Sequence, residues 1–213
     1  MRETKTPLKT AKPNLIAIVG GSGAGKTWLS DQLEKAFGKS AARLSLDNFY
    51  RDRSHLTAKQ RSAINFDHPR AIDWKHVEHV LNKISKGHSA RAPRYDFTTH
   101  TRVAKEELMK PKPFIIMDGL WLLRRPAVRK LFSCRIFIDC PRSLRFQRRM
   151  RRDLLERGRK QTTVKKQFTE QVEPMHHRFV SPHLRSANIV LRNPSESEVI
   201  QLAEKIKDLL KFN

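Results

Sequence analysis

The chain has 213 residues, 38% of them hydrophobic, and carries 44 Lys and Arg against 21 Asp and Glu, a formal net charge of +23. That length suits one large domain, or one domain with a small appended lid, with enough apolar content for a real core. No apolar run approaches the ~18 residues of a membrane span, and the polar, basic segment 1–13 has no apolar stretch of the secretory kind and reads as a frayed tail. The charge points to polyanionic partners, which nucleotides, nucleic acid and anionic membranes all are. The two cysteines, Cys134 and Cys140, bracket one apolar run and read as reduced thiols of an intracellular, cytoplasmic protein.

In chain order, Leu15–Val19 is a short apolar run ending in glycines, the pattern of a buried parallel strand. A helix is expected over Thr27–Phe37, stopped by Gly38, and a second strand over Ala42–Leu46. Asp73–Lys86 has helical spacing at Trp74, Val77, Leu81 and Ile84. Arg91–Thr101 reads as extended, and Phe114–Met117 and Arg135–Ile138 as further buried strands. Helices are expected over Ser143–Arg157 and Val164–Arg178, the second kinked or split by Pro174. Ile189–Leu191 is a fifth strand, and Ser195 with Glu198 forms a capping box opening a last helix. Strands alternating with helices imply an α/β fold around a parallel sheet.

Gly20-Gly21-Ser22-Gly23-Ala24-Gly25-Lys26-Thr27 matches G-x-x-x-x-G-K-[ST], between a strand and a helix. Its glycines let backbone N–H groups turn inward toward phosphates, aided by the helix N-terminus. Lys26 then reaches the β- and γ-phosphates and Thr27 a Mg²⁺ ion. This makes a nucleoside triphosphate site without choosing among kinase, GTPase and ATPase. Asp47 follows the second strand, at the end that faces the ligand crevice in such sheets. There it is a general base, a group ordering Mg²⁺, or a helix N-cap.

Eight segments, in order, resemble the uridine kinase family. They are Gly20–Thr27; Ser45–Arg51; Asn65–Pro69 with Asp73; Pro93–Phe97 with His100 and Arg102; Asp118-Gly119; Arg148–Asp153 with Glu156–Arg159; Val172–Met175 with Phe179–Pro182; and Ala187–Arg192. The resemblance implies a P-loop NTPase fold of the nucleoside-kinase type, with a five-stranded parallel sheet, a small β-hairpin subdomain (about 88–104) and a helical lid (about 148–168), all within one kinase domain over 14–213. It implies transfer of the γ-phosphoryl of ATP (or GTP), with Mg²⁺, to the 5′-hydroxyl of uridine and cytidine in pyrimidine salvage. Asp47 matches the catalytic carboxylate. Asp67 matches the grip on the ribose hydroxyls, Tyr95 and His100 the readers of the pyrimidine edge, and Phe66 and Phe97 its apolar walls. The His position is linked in the family to acceptance of cytidine as well as uridine.

In the lid, the resemblance gives Arg152 and Arg157 to the transferring phosphoryl group and Arg149, Arg159 and Gln167 to the nucleoside. Arginine suits such contacts because its planar fork binds two oxygens at once. Arg192 matches a basic position beside the donor base, whereas Arg142, Arg145, Arg148 and Arg151 read as solvated surface. Asp118 stands where the family usually has Glu, so its carboxylate is one methylene shorter as a metal-ordering group with Thr27 and Asp47. The family often forms homotetramers through its hairpin. Two other readings remain open: a sibling P-loop kinase with another acceptor (phosphoribulokinase, pantothenate kinase or nicotinamide riboside kinase), and a nucleic-acid-binding protein on an NTPase fold, suggested by the charge.

Overall fold

The computed structural model describes residues 12–211; the tail expected over 1–13 lies almost wholly outside them. The elements are β1 (Asn14–Gly20), α1 (Lys26–Phe37), β2 (Ala41–Ser45), α2 (Ala58–Ser62), α3 (Trp74–Ser85), β3 (Ala90–Asp96), β4 (Thr101–Met109), β5 (Phe114–Gly119), α4 (Pro126–Arg129), β6 (Phe132–Ile138), α5 (Arg142–Leu155), α6 (Gln161–Gln167), α7 (Glu173–Met175), β7 (Ile189–Leu191) and α8 (Glu196–Lys211). Five strands form one sheet in the order β2-β5-β1-β6-β7, all parallel. The expected α/β architecture around a five-stranded parallel sheet is therefore present.

Strand β1 shows why its residues are apolar without interruption. Leu15, Ala17 and Val19 enter the core on one face of the sheet, with Trp121 and Phe179. Ile16 and Ile18 enter the other, under α1 and α8, with Leu29, Leu33 and Ile206. A strand buried on both faces has no polar side to alternate. Ser195 caps α8 as expected: its N–H donates to Glu198 Oε2 at 2.7 Å and its Oγ accepts from the Glu198 N–H at 3.4 Å. Cys134 and Cys140 are both buried and free.

Two elements differ from expectation. The extended segment at Arg91–Thr101 is the first half of a hairpin whose second strand, β4, runs on to Met109 opposite Ala90. The segment around Pro174 stays helical, and π turns over Phe168–Val172 and His176–Val180 flank the short α7 that contains it. The wider turns relieve the ring and its missing N–H without a break.

His183, in the 3₁₀ turn Ser181–Ser186, is buried at 7% exposure, and its Nε2 has no partner. Burial first, then Arg124 and Arg129, push it down to about 4. A histidine held below its unfolded value stabilises the fold above pH ~6.5, and that stabilisation is lost as pH falls toward ~4. Thermal melts from pH 7 to pH 5 are expected to show His183→Gln losing about 2 kcal/mol less than the parent chain. Parallel losses in both would remove His183 as the acid-sensitive group.

Candidate active site

The sheet's parallel order brings the ends of β1, β2 and β5 to one edge, and the functional side chains gather there. The turn after β1 lies directly on α5: a Cβ on Gly23, whose φ is +80°, would stand 2.3 Å from the Arg145 carbonyl oxygen. Only glycine fits that approach and that backbone. Lys26 curls back so that its ammonium donates to the Gly21 carbonyl at 2.9 Å. Burial lowers its pKa, while Asp47 and Asp118 act to raise it.

Asp47 sits in the 3₁₀ turn Leu46–Phe49, and its N–H donates to Ser45 Oγ at 3.4 Å. Its Oδ1 is buried and has no hydrogen-bond partner. Asp118 is the last residue but one of β5, and burial, then the charge of Asp47, push its carboxyl up to about 6. The following residue must be small, because a Cβ on Gly119 would meet Leu46 Cβ at 2.4 Å. That close passage sets the strand end against the turn bearing Asp47. A raised carboxyl, an unpartnered carboxylate oxygen and the Thr27 hydroxyl on one cleft are hard oxygen donors of the kind Mg²⁺ takes. The residues present fit that ion.

At the far end of the cleft, the Asp67 N–H donates to Asn65 Oδ1 at 2.9 Å. Burial raises the Asp67 pKa against the opposing pull of Arg149, 3.6 Å away. The Phe66 and His100 rings are stacked, with centroids 4.6 Å apart and planes at 15°. His100 occupies the hairpin turn with φ 56°, and its Nδ1 is buried without a partner. Burial and then Arg159 lower its pKa, which keeps the imidazole neutral at pH 7. The Tyr95 hydroxyl is likewise buried and unpartnered, and burial pushes it up to about 12. Tyr50 lies 5.2 Å from the Tyr95 ring and donates its hydroxyl to the Phe66 carbonyl at 3.1 Å. Phe97 is 43% exposed at the rim, with the Arg157 guanidinium 6.0 Å above its ring.

The arginines of the lid converge on a single acid. Asp153 is fully buried and meets Arg149 at 3.5 Å, Arg152 at 2.9 Å, Arg157 at 3.5 Å and Arg159 at 3.4 Å. Four guanidiniums around one carboxylate leave a net positive cluster that is held in place yet free to meet phosphate oxygens. Arg149 is the bridge of the site: it donates to Ser22 Oγ at 2.9 Å and to Gln167 Oε1 at 3.0 Å, and also faces Asp67. Ser22 of the phosphate loop, Asp67 and Gln167 therefore meet on one side chain.

One cleft is lined by Ser22, Gly23, Lys26, Thr27, Asp47 and Asp118 together with Phe66, Asp67, Tyr95, Phe97, His100, Arg149, Arg152, Arg157, Arg159 and Gln167. Gly21 lies against Arg145 and His176, and Gly20 against Ile138. Ala24 and Gly25 face a second hollow, lined by Trp28, Ile138, Arg148, Asn193 and Pro194. Arg192 lines neither hollow; its side chain is 83% exposed and points to Asp139 at 3.5 Å.

Arg145 corrects an expectation. It is not solvated surface: its side chain is 2% exposed and holds Glu173 through contacts of 2.9 and 3.0 Å. Tyr50 and Leu120, which also line the cleft, Arg145 and Asp153 are given no site role by sequence reasoning. Tyr50 and Asp153 leave a trace, inside the segments Ser45–Arg51 and Arg148–Asp153.

A sequence model of the phosphoribulokinase/uridine kinase family matches residues 15–199. A protein named uridine kinase from Ligilactobacillus salivarius is 36% identical over 203 residues, covering 94% of this chain and 95% of its own. One of the same name from Clostridium perfringens is 34% identical over 202 residues, covering 93% and 97%. Among solved structures, phosphoribulokinase from Rhodobacter spheroides superposes with a TM-score of 0.63 at 16% identity, covering 89% of this chain and 74% of its own. A possible uridine kinase from Bacillus stearothermophilus gives 0.55 at 20% identity, covering 87% and 91%. The structural likenesses speak for the fold alone.

Proposed function

The chain belongs to the phosphoribulokinase/uridine kinase family, and from that premise we propose that it phosphorylates the 5′-hydroxyl of uridine and cytidine with ATP, as a cytoplasmic enzyme of pyrimidine salvage. The observation that carries the acceptor assignment is the joint lining of one cleft by phosphate-loop residues and by Asp67, Tyr95 and His100. Donor phosphates on the loop and a nucleoside against those three side chains would share that cleft.

In the proposed reaction Asp67 accepts hydrogen bonds from the two ribose hydroxyls, which a carboxylate can do at once. Phe66 and Phe97 flank the base. The His100 imidazole is neutral, with one donor and one acceptor nitrogen, and its tautomers match either the carbonyl of uridine or the amino group of cytidine. Arg149, Arg159 and Gln167 close over the nucleoside. Asp47 takes the proton of the 5′-hydroxyl as that oxygen attacks the γ-phosphorus. Lys26, Arg152 and Arg157 hold the charge spread over the transferring group. Thr27, Asp47 and Asp118 would hold Mg²⁺, which when bound neutralises charge on the phosphates. The donor base lies on the outer side of the loop, in the hollow of Trp28, Arg148 and Asn193, with Arg192 next in the chain. Assembly into a homo-oligomer through the hairpin belongs to the same proposal, supported by exposed Val103 and Leu108 on β4.

ADP release with Mg²⁺-ATP tests the reaction against uridine, cytidine, adenosine, ribulose 5-phosphate, pantothenate and nicotinamide riboside. Turnover with the two pyrimidine nucleosides alone is expected; turnover with another acceptor alone would overturn the assignment. Asp67→Ala is expected to raise the KM for uridine at least tenfold, about 1.4 kcal/mol, with the KM for ATP little changed. An unaltered uridine KM would exclude ribose contact.

A further inference from the structure

Among the described residues three carboxylates are buried: Asp118, Asp153 and Glu173. Asp118 belongs to the cleft and Asp153 to the lid, which leaves Glu173 without a part in the reaction proposed above. It lies on α7, between two π turns, a widening of the helix that often marks a functional place. Its Oε1 and Oε2 both accept from Arg145 Nη2, at 3.0 and 2.9 Å. Arg145 and Arg149 are the only buried arginines among the described residues. The Arg145 Nε donates to the Cys140 carbonyl at 3.1 Å, and its Nη1 has no partner. This side chain is a wall of the phosphate loop. A Cβ on Gly21 would stand 2.8 Å from Arg145 Cδ and 3.0 Å from its Nη1, and one on Gly23 would stand 2.3 Å from its carbonyl oxygen. His176 Nδ1, 2.8 Å from the same point on Gly21, is also without a partner. Neither atom hydrogen-bonds the loop, so on this side the loop is placed by contact with a fixed shape.

We propose that Glu173 is a positioning residue for the donor nucleotide: by clamping the Arg145 guanidinium it fixes the surface on which Gly21 and Gly23 rest, and so sets the loop's affinity for phosphates that Glu173 itself does not touch. The proposal rests on the nucleotide half of the reading above and not on the acceptor. Loop N–H groups bind phosphate only while they converge on one point. With Glu173 in place the Arg145 side chain has two anchors, the Cys140 carbonyl at Nε and the carboxylate at Nη2. Without it only the first remains, and a long side chain regains the rotamer freedom that the clamp removed. Arg142 and His177 also meet Glu173, at 3.9 and 3.1 Å, but both are largely exposed and can turn to water when the carboxylate goes. Arg145, at 2% exposure, cannot, and the surface that would shift is the one beneath Gly21.

The test is calorimetric titration of the full chain with Mg²⁺-ADP, with the melting temperature and the KM for uridine measured alongside. Glu173→Gln keeps the side chain's size and removes its charge. Its Kd for Mg²⁺-ADP should rise about tenfold, as a slightly misplaced loop brings, while the KM for uridine stays within about twofold. Breaking a buried pair also lowers the melting temperature, so Arg145→Met/Glu173→Leu separates the two roles. Replacing both partners by apolar groups should restore most of the melting temperature. It should leave the Kd raised, because a flexible Met gives Gly21 no fixed wall. Glu78→Gln, which breaks the pair with Arg125, should bind Mg²⁺-ADP as the parent does. A Kd within about twofold of the parent in Glu173→Gln, an equal rise in the KM for uridine, or a Kd that recovers with the melting temperature in the double variant would reduce Glu173 to a support of the fold and overturn the proposal. If Glu173→Gln does not fold, the double variant decides alone. A parent that binds Mg²⁺-ADP but leaves uridine unphosphorylated would defeat the acceptor assignment and leave the comparison of Kd values standing.

Discussion

Asp47→Asn is expected to bind Mg²⁺-ATP and uridine but to turn over about 10³-fold more slowly, within the range that loss of a positioned proton acceptor brings. The substitution keeps the side chain's size and removes its ability to take a proton. Asp47 is suited to the role because its Oδ1 is buried without a hydrogen-bond partner, so no protein group competes for the oxygen that must meet the attacking hydroxyl. Its neighbours are Lys26, whose buried ammonium it supports, and Asp118. The charge of the pair therefore changes with the substitution, and the assay should include a Mg²⁺ titration. Slow turnover at saturating Mg²⁺ assigns the loss to proton transfer. Turnover within fivefold of the parent would remove Asp47 from the base role.

Asp153→Asn is expected to lower kcat about 10²-fold while leaving the phosphate loop intact. Four guanidiniums lie within 3.5 Å of that carboxylate, and without its charge they repel one another and leave their places. The size of the effect matches loss of preorganised donors aimed at a transferring group. Removing a buried charge from such a cluster also costs about 3 kcal/mol or more of stability. Inorganic phosphate should raise the melting temperature of the variant more than that of the parent, because an added anion stands in for the missing carboxylate. Asp153→Glu, which restores the charge, should recover part of kcat. If Asp153→Asn keeps kcat within twofold, the arginines are placed by something else.

The parts of this molecule that could be read from its sequence are those fixed by neighbours in the chain. The loop from Gly20 to Thr27 carries its chemistry in eight consecutive residues, and β1, β5 and β6 announce themselves as apolar runs because both faces are buried. Strand β4 gives no such signal: only Met109 of its nine residues is buried, so it has no apolar period. Arg145 looked like its exposed neighbours because its partner, Glu173, is 28 residues away. The residues lining the cleft were nameable through family resemblance. Their arrangement about Asp153 and Arg149 depends on where α5 lies, which no local pattern states.

Helix α5 carries the seat of the phosphate loop at Arg145 and the lid arginines at Arg149 and Arg152 on one rigid rod. It is therefore a ruler as well as a support. One residue added between Arg145 and Arg149 would turn everything beyond it by about 100° and advance it by about 1.5 Å, swinging the arginines away from the cleft while the loop stayed seated. Descendants of this gene can vary freely in the letters on the outer side of that stretch. They can change its length only by abandoning catalysis, and an alignment of its descendants should show substitutions there but no gaps.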